Sequence, residues 1–272
     1  MIKLNEQIVA LDSFPDGTML MKQMPPKTDK VTISWFYEND REMVAVIYLA
    51  NHLKAHGCEN AHLYMPYIPN ARQDRVKSEE DVFTLKYFAG VINSLGFKTV
   101  TVLDPHSSVS EALFDNIVMQ SPKTFIEDVI KKIEAAEGET PSMFYPDEGA
   151  GKRYSGMIAL PYAFGIKKRD WKTGNILGLD VAGDTNNISG KNILIVDDIC
   201  SRGGTFYFSA KKLKELGARN IYLYITHCEN TIFDGDLLKS GLIKRVFTTD
   251  SLLTKAHEMI DVTILQGGKD ND

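Results

Sequence analysis

From Val31 to His227 the sequence alternates short runs of β-branched and aromatic residues with longer segments whose apolar residues recur every three or four positions. Strand-like runs stand at VTISWFY (31–37), AHLYMPY (61–67), KTVTVLD (98–104), SMFYPD (142–147), NILIVDD (192–198) and NIYLYITH (220–227). Helical spacing appears in NDREMVAVIYLANHLKAHG (39–57), DVFTLKYFAGVINSLG (81–96) and TFYFSAKKLKELG (205–217). Asn39 or Asp40, and Asp81, stand where N-caps belong, and Gly57, Gly96 and Gly217 where helices stop. Strands that alternate with helices imply parallel sheets built from right-handed crossovers. The fold class is α/β, with parallel sheets flanked by helices.

At 272 residues the chain is one large domain or two ordinary ones. The polar stretch KKIEAAEGETPS (131–142) is the best boundary, which predicts domains at 1–138 and 139–272. A second polar stretch, 167–190, is long for a connection and reads as a functional loop. A net charge of −5 argues against a general nucleic-acid binder. No apolar stretch reaches the length of a membrane span, and the acid-containing N-terminus is unlike a signal peptide. Three cysteines without a CxxC fit a reducing compartment. The expected location is cytoplasmic, in the cell or in an infected host.

In parallel α/β sheets, ligands sit beyond the carboxyl ends of the strands. Three of the predicted strands end on acids, at Asp104, Asp147 and the pair Asp197–Asp198. After that pair comes Ser201-Arg202-Gly203-Gly204-Thr205 and then a helix. Successive backbone N–H groups at a helix N-terminus form an anion nest, and the glycines let the backbone approach its ligand. The two carboxylates repel phosphate but accept hydrogen bonds from vicinal hydroxyls. Together they describe a site for a ribose 5-phosphate group. A plain strand-to-helix turn is the alternative, but two adjacent acids at a buried strand end cost desolvation. GAGKR (149–153) is not a phosphate-binding P-loop, because Pro146 stands where that motif needs Gly and Arg153 where it needs Ser or Thr.

The acid pair with its Gly-Thr loop resembles the ribose-phosphate site of type I phosphoribosyltransferase folds. MPYIPNARQDR (65–75) and the stretch 83–107, ending in DPHS, narrow the resemblance to ribose-phosphate pyrophosphokinases, over roughly residues 13–252. The resemblance implies two phosphoribosyltransferase-like domains, the first on the ATP side and the second on the ribose-phosphate side. The implied reaction moves the β,γ-diphosphate of ATP onto the anomeric hydroxyl of ribose 5-phosphate. It assigns Arg72, Gln73 and Arg75 to the polyphosphate, and His106 and Asp147 to Mg²⁺–ATP. Mg²⁺ prefers oxygen ligands, so His106 acts partly through bound water. GIKKRD (165–170) matches the K-x-R signature of a mobile catalytic loop, with Lys167 and Arg169 in position and Lys168 as the alternative.

SFPDGT (13–18) matches the adenine-binding segment, with Phe14 to stack and Asp16 to read the base edge, while Thr18 replaces the usual Glu. That segment acts across a subunit interface in the family, which implies a homo-oligomer, dimer or hexamer, with a shared ATP site. The family's acceptor loop reads D-T-A-G-T, so the loop here is more positive and roomier. ADP-ribose is therefore an alternative acceptor, giving an activated donor for NAD salvage. A phosphoribosyltransferase would leave ARQDR and Lys167/Arg169 unexplained. A non-catalytic regulatory homologue would be expected to lose those residues.

Overall fold

The computed structural model describes residues 1–169 and 176–266, with the side chains of 167–169 and 176–178 outside that description. The chain divides into two compact units, 1–121 with 265–272, and 122–264.

The first unit is built on β1 (Ile2–Leu4), β2 (Gln7–Ile8), β5 (Val31–Trp35), β6 (Ala61–Tyr64), β7 (Val100–Leu103) and β8 (Ile117–Gln120). Their order is β2-β1-β5-β6-β7-β8, in which β5 to β8 run parallel and β1 pairs antiparallel with both neighbours. Helices α1 (Arg41–Ala55) and α2 (Thr84–Ser94) bury Val46, Leu49, Leu53, Leu85, Phe88 and Ile92 against the sheet. A small hairpin, β3 (Asp12–Ser13) and β4 (Met19–Leu20), stands apart from the sheet, and α3 (Val109–Leu113) follows β7. Arg41 of α1 ties down that hairpin by donating to the Asp12 carbonyl at 2.9 Å and to Ser13 Oγ at 2.6 Å.

The second unit holds seven strands in the order β11-β10-β9-β12-β13-β14-β15. These are β9 (Ser142–Tyr145), β10 (Tyr162–Arg169), β11 (Ile176–Gly183), β12 (Ile193–Cys200), β13 (Ile221–Cys228), β14 (Arg245–Thr249) and β15 (Ile260–Thr263). All pairs are parallel except β10 with β11. Along β12, Ile193 and Ile195 enter the core shared with α6 (Gly204–Glu215), while Leu194 and Val196 enter the core under α4 (Lys123–Glu137) and α5 (Glu148–Tyr154). That alternation is the period-two signature of a strand buried on both faces.

Three expectations need correction. The stretch 131–142 is not the boundary, because α4 occupies it as far as Glu137 and buries Ile126, Val129, Ile130 and Ile133 in the second unit, so the units divide at 121/122. The long stretch 167–190 is not one loose connection, because 167–169 belong to β10 and 176–183 to β11, which pair antiparallel. Asp81 also lies ahead of its helix. Its carboxylate closes a turn by accepting from the N–H groups of Lys77 and Ser78, and α2 begins at Thr84.

Candidate active site

The acid pair lies inside β12 rather than at its end, since the strand continues to Cys200 in register with Cys228 of β13. Asp198 is 4% exposed, and its Oδ2 lies 3.2 Å from a guanidinium nitrogen of Arg153 on α5. Asp197 is half-buried, and its Oδ1 accepts the Asp198 N–H at 3.0 Å. Burial first, and the neighbouring Asp198 charge second, push the Asp197 carboxyl well above the usual carboxylate range, and Asp147 adds to this. Asp147 caps α5 by accepting the Ala150 N–H at 3.0 Å. Three carboxylates thus influence one another, with Arg153 as the cation set against them.

Beyond Cys200 the chain turns through Ser201–Thr205 into the first turn of α6. Gly203 caps that helix at φ +79°, and a Cβ there would lie 2.9 Å from Leu237, so both backbone and space require glycine. Nothing lies within 4 Å of a Cβ placed on Gly204, which leaves the approach to the helix N-terminus open. The other wall is Gly235, where a Cβ would stand 1.9 Å from the Arg202 carbonyl oxygen. Gly235 and Leu237 were not signalled by the sequence, because nothing in it shows that the segment after β13 folds against this loop.

In the first unit, ARQDR lies in the irregular segment between β6 and α2. Its anchor is Asp74, a residue the sequence reading passed over, which is 5% exposed. Arg75 grips it through Nε at 2.7 Å and a terminal nitrogen at 2.8 Å. Those bonds, helped by Ser107 and His106, hold the Asp74 carboxyl down at about 2 although burial opposes this. Two of Arg75's donor nitrogens are thus committed, rather than offered to a ligand. Gln73 accepts from the Thr84 hydroxyl at 2.9 Å, which fixes it to the start of α2, and Arg72 is exposed. Asp74 therefore links the ARQDR segment to the DPHS segment that carries His106. Asp104 at the end of β7 is buried and takes φ +43°, a left-handed turn into that segment.

Phe14 is 49% exposed on a turn closed by its N–H bonding to the Thr18 carbonyl at 2.9 Å. Thr18 donates to Asp16 Oδ1 from its N–H at 3.0 Å and from its hydroxyl at 2.7 Å. These bonds lower the Asp16 pKa. The Thr at this position thus shapes the turn that presents Phe14. Lys167 and Arg169 have their backbones in β10, paired opposite Leu179 and Ile176. Their side chains, and residues 170–175, lie outside the described residues. Among the described residues no helix is long and apolar enough to cross a membrane, and no three His, Cys, Asp or Glu gather as a cation cage.

A seven-stranded, mostly parallel sheet with buried acids and a glycine turn at a helix N-terminus defines a phosphoribosyltransferase-type α/β protein. Phosphoribosylpyrophosphate synthetase from Mycobacterium smegmatis has the same fold, with a TM-score of 0.76 at 19% identity, over 94% of this chain and 86% of that one. Among sequences, the ribose-phosphate pyrophosphokinase of Thermococcus kodakarensis is 31% identical over 228 residues, spanning 80% of this chain and 77% of the relative. That of Pyrococcus abyssi is 29% identical over 271 residues, spanning 96% and 91%. No protein-family model matches the chain. The chain belongs to the ribose-phosphate pyrophosphokinase family.

Proposed function

We propose that this protein transfers the β,γ-diphosphate of ATP to the anomeric hydroxyl of ribose 5-phosphate, giving phosphoribosyl pyrophosphate and AMP. The observation that carries this reading is the β12–α6 junction, with acids for the ribose hydroxyls and an open glycine turn for the 5-phosphate, in a chain of this family. The anomeric hydroxyl releases its proton to solvent as its oxygen attacks the β-phosphorus, and the bond from the α,β-bridging oxygen to that phosphorus breaks. AMP leaves with that oxygen and the electron pair. Such a transfer needs little covalent help, but it needs alignment and positive charge where negative charge develops. Lys167 and Arg169 are assigned that charge.

The residues also fit a role for Mg²⁺. That ion is usually held by one or two carboxylates, substrate phosphates and its own waters, rather than by a full protein cage. The carboxylate of Asp147 at the start of α5 is an oxygen donor of that kind. Asp147 is assigned to it, His106 to the ATP side, and the ion would neutralise charge on the transferred phosphates. Phe14 and Asp16 are assigned to adenine across a subunit interface, and Arg72 and Gln73 to the polyphosphate. Arg75 belongs to that group chiefly through its grip on Asp74.

The test is AMP release from Mg²⁺–ATP with ribose 5-phosphate and, separately, with ADP-ribose, with the product masses measured. The relatives favour ribose 5-phosphate. AMP and phosphoribosyl pyrophosphate are the expected products, and Lys167→Ala or Arg169→Ala is expected to lower kcat by about 10²–10³-fold. AMP with ADP-ribose alone would reassign the acceptor, and AMP with neither would end the catalytic reading.

A further inference from the structure

Arg153 has no role in the assignments above, yet its guanidinium lies against the acids of the acceptor site. We propose that Arg153 is a positioning residue for the acceptor, which fixes Asp198 from the α5 face of the sheet so that Asp197 is the carboxylate presented to the ribose hydroxyls. The inference rests on the ribose-phosphate reading and divides the labour within that site.

Adjacent residues of a strand point to opposite faces of its sheet. Asp198 has the parity of Leu194 and Val196, whose side chains lie in the core under α4 and α5. Asp197 has the parity of Ile193 and Ile195, on the face shared with α6 and its glycine turn. The exposures agree, since Asp198 is buried and Asp197 is half-buried. A buried carboxylate without a cation is costly, and Arg153 supplies that cation at 3.2 Å.

The surroundings hold Arg153 in place. Its guanidinium lies 5.7 Å over the ring of Tyr154, and Tyr154 is fully buried and stacks on Tyr145 with centroids 6.2 Å apart. A planar cation on an aromatic face above a packed pair of rings has little freedom to turn away. Helix α5 carries Asp147 at its cap and Arg153 in its last turn, so one short helix sets both an acid and a cation around the pair on β12. The GAGKR segment thus acquires a function its failed P-loop pattern concealed.

The experiment compares wild type with Arg153→Met, Arg153→Lys, Asp198→Asn, Asp197→Asn and the double variant R153M/D198N, with separate KM values for ribose 5-phosphate and ATP. Arg153→Met is expected to raise KM for ribose 5-phosphate about tenfold or more while KM for ATP stays within about twofold, since a charge-assisted contact is lost on one side only. Arg153→Lys should recover part of the loss, and it serves alone if the Met variant does not fold. The double variant should be no worse than Asp198→Asn, because Arg153 acts through Asp198. Asp197→Asn should show the largest loss of acceptor affinity. A rise in KM for ATP with KM for ribose 5-phosphate unchanged, or additive effects in the double variant, would overturn the proposal. A wild type that makes no AMP with ribose 5-phosphate fails the functional reading before any variant is compared. An active wild type with indifferent Arg153 variants fails this inference alone.

Discussion

Gly235 shows how far a single hydrogen atom can determine a binding loop. A methyl group there would overlap the Arg202 carbonyl, and neither partner is the end of a flexible side chain. Gly235→Ala is therefore expected to move the 201–205 turn. Thermal melting should show a loss of about 1–3 kcal/mol, the usual scale for overpacking, and KM for ribose 5-phosphate should rise more than KM for ATP. Asp74 matters in the opposite way, through what it holds. Its pKa falls on folding from an ordinary 3.8 to about 2, so its contribution to stability is complete above about pH 4 and is lost as pH falls through 2. Asp74→Asn should flatten that acid limb in pH-dependent melting and cost about 1.5–3 kcal/mol near neutrality, the scale of hydrogen bonds to charged groups. Gln73, Arg72 and Arg75 were legible in the sequence because donors in a row suggest phosphate. The acid between them was not, because only the fold shows it buried and gripped.

Among the elements, those with a strong period were legible, and those whose character depends on what covers them were not. β12 and α6 were legible as elements, since an apolar run, a glycine turn and a glycine stop enclose them, although the strand runs on two residues past the acid pair. α4 was mistaken for a linker because its exposed face is Lys- and Glu-rich and its apolar face shows only against the sheet. The same helix anchors the end of the sheet remote from the acid pair. Glu137 accepts from Lys244, from the Tyr222 hydroxyl at 2.5 Å and from Asn220 at 3.0 Å, which joins the end of α4 to the starts of β13 and β14. Lys244 above all, then Tyr222, lowers the Glu137 pKa. Glu137→Ala should lower the melting temperature by about 2–4 °C for each kcal/mol lost, while KM for both substrates stays as in wild type. The β10–β11 pair was hidden for another reason. β10 (YAFGIKKR) ends in three basic residues and β11 (ILGLDVAG) contains two glycines, so charge and glycine mask the alternation of Leu177, Leu179 and Val181 in the edge strand.

For the whole molecule, the exposed Phe14 bears on assembly. If this ring completes the ATP site of another copy, neither a Phe14→Ala nor a Lys167→Ala preparation should be active alone. Mixed oligomers formed by co-expression should regain AMP release, because some sites then combine an intact Phe14 with an intact Lys167. Mixtures as inactive as the parents would place the whole site within one chain.

Cys200 and Cys228 face each other across β12 and β13 at the end of the sheet that leads into the phosphate turn, both fully buried, while Cys58 in the first unit is half-buried. The neighbouring thiol first, and burial second, raise the Cys200 pKa, so it gives little thiolate to a reagent at neutral pH. The protein therefore carries its own clock. A thiol-specific dye should label Cys58 early, and the buried pair only as often as that end of the sheet opens. The slow phase measures the opening frequency of the acceptor site without any engineered probe, and saturating ribose 5-phosphate should lengthen it while leaving the fast phase untouched.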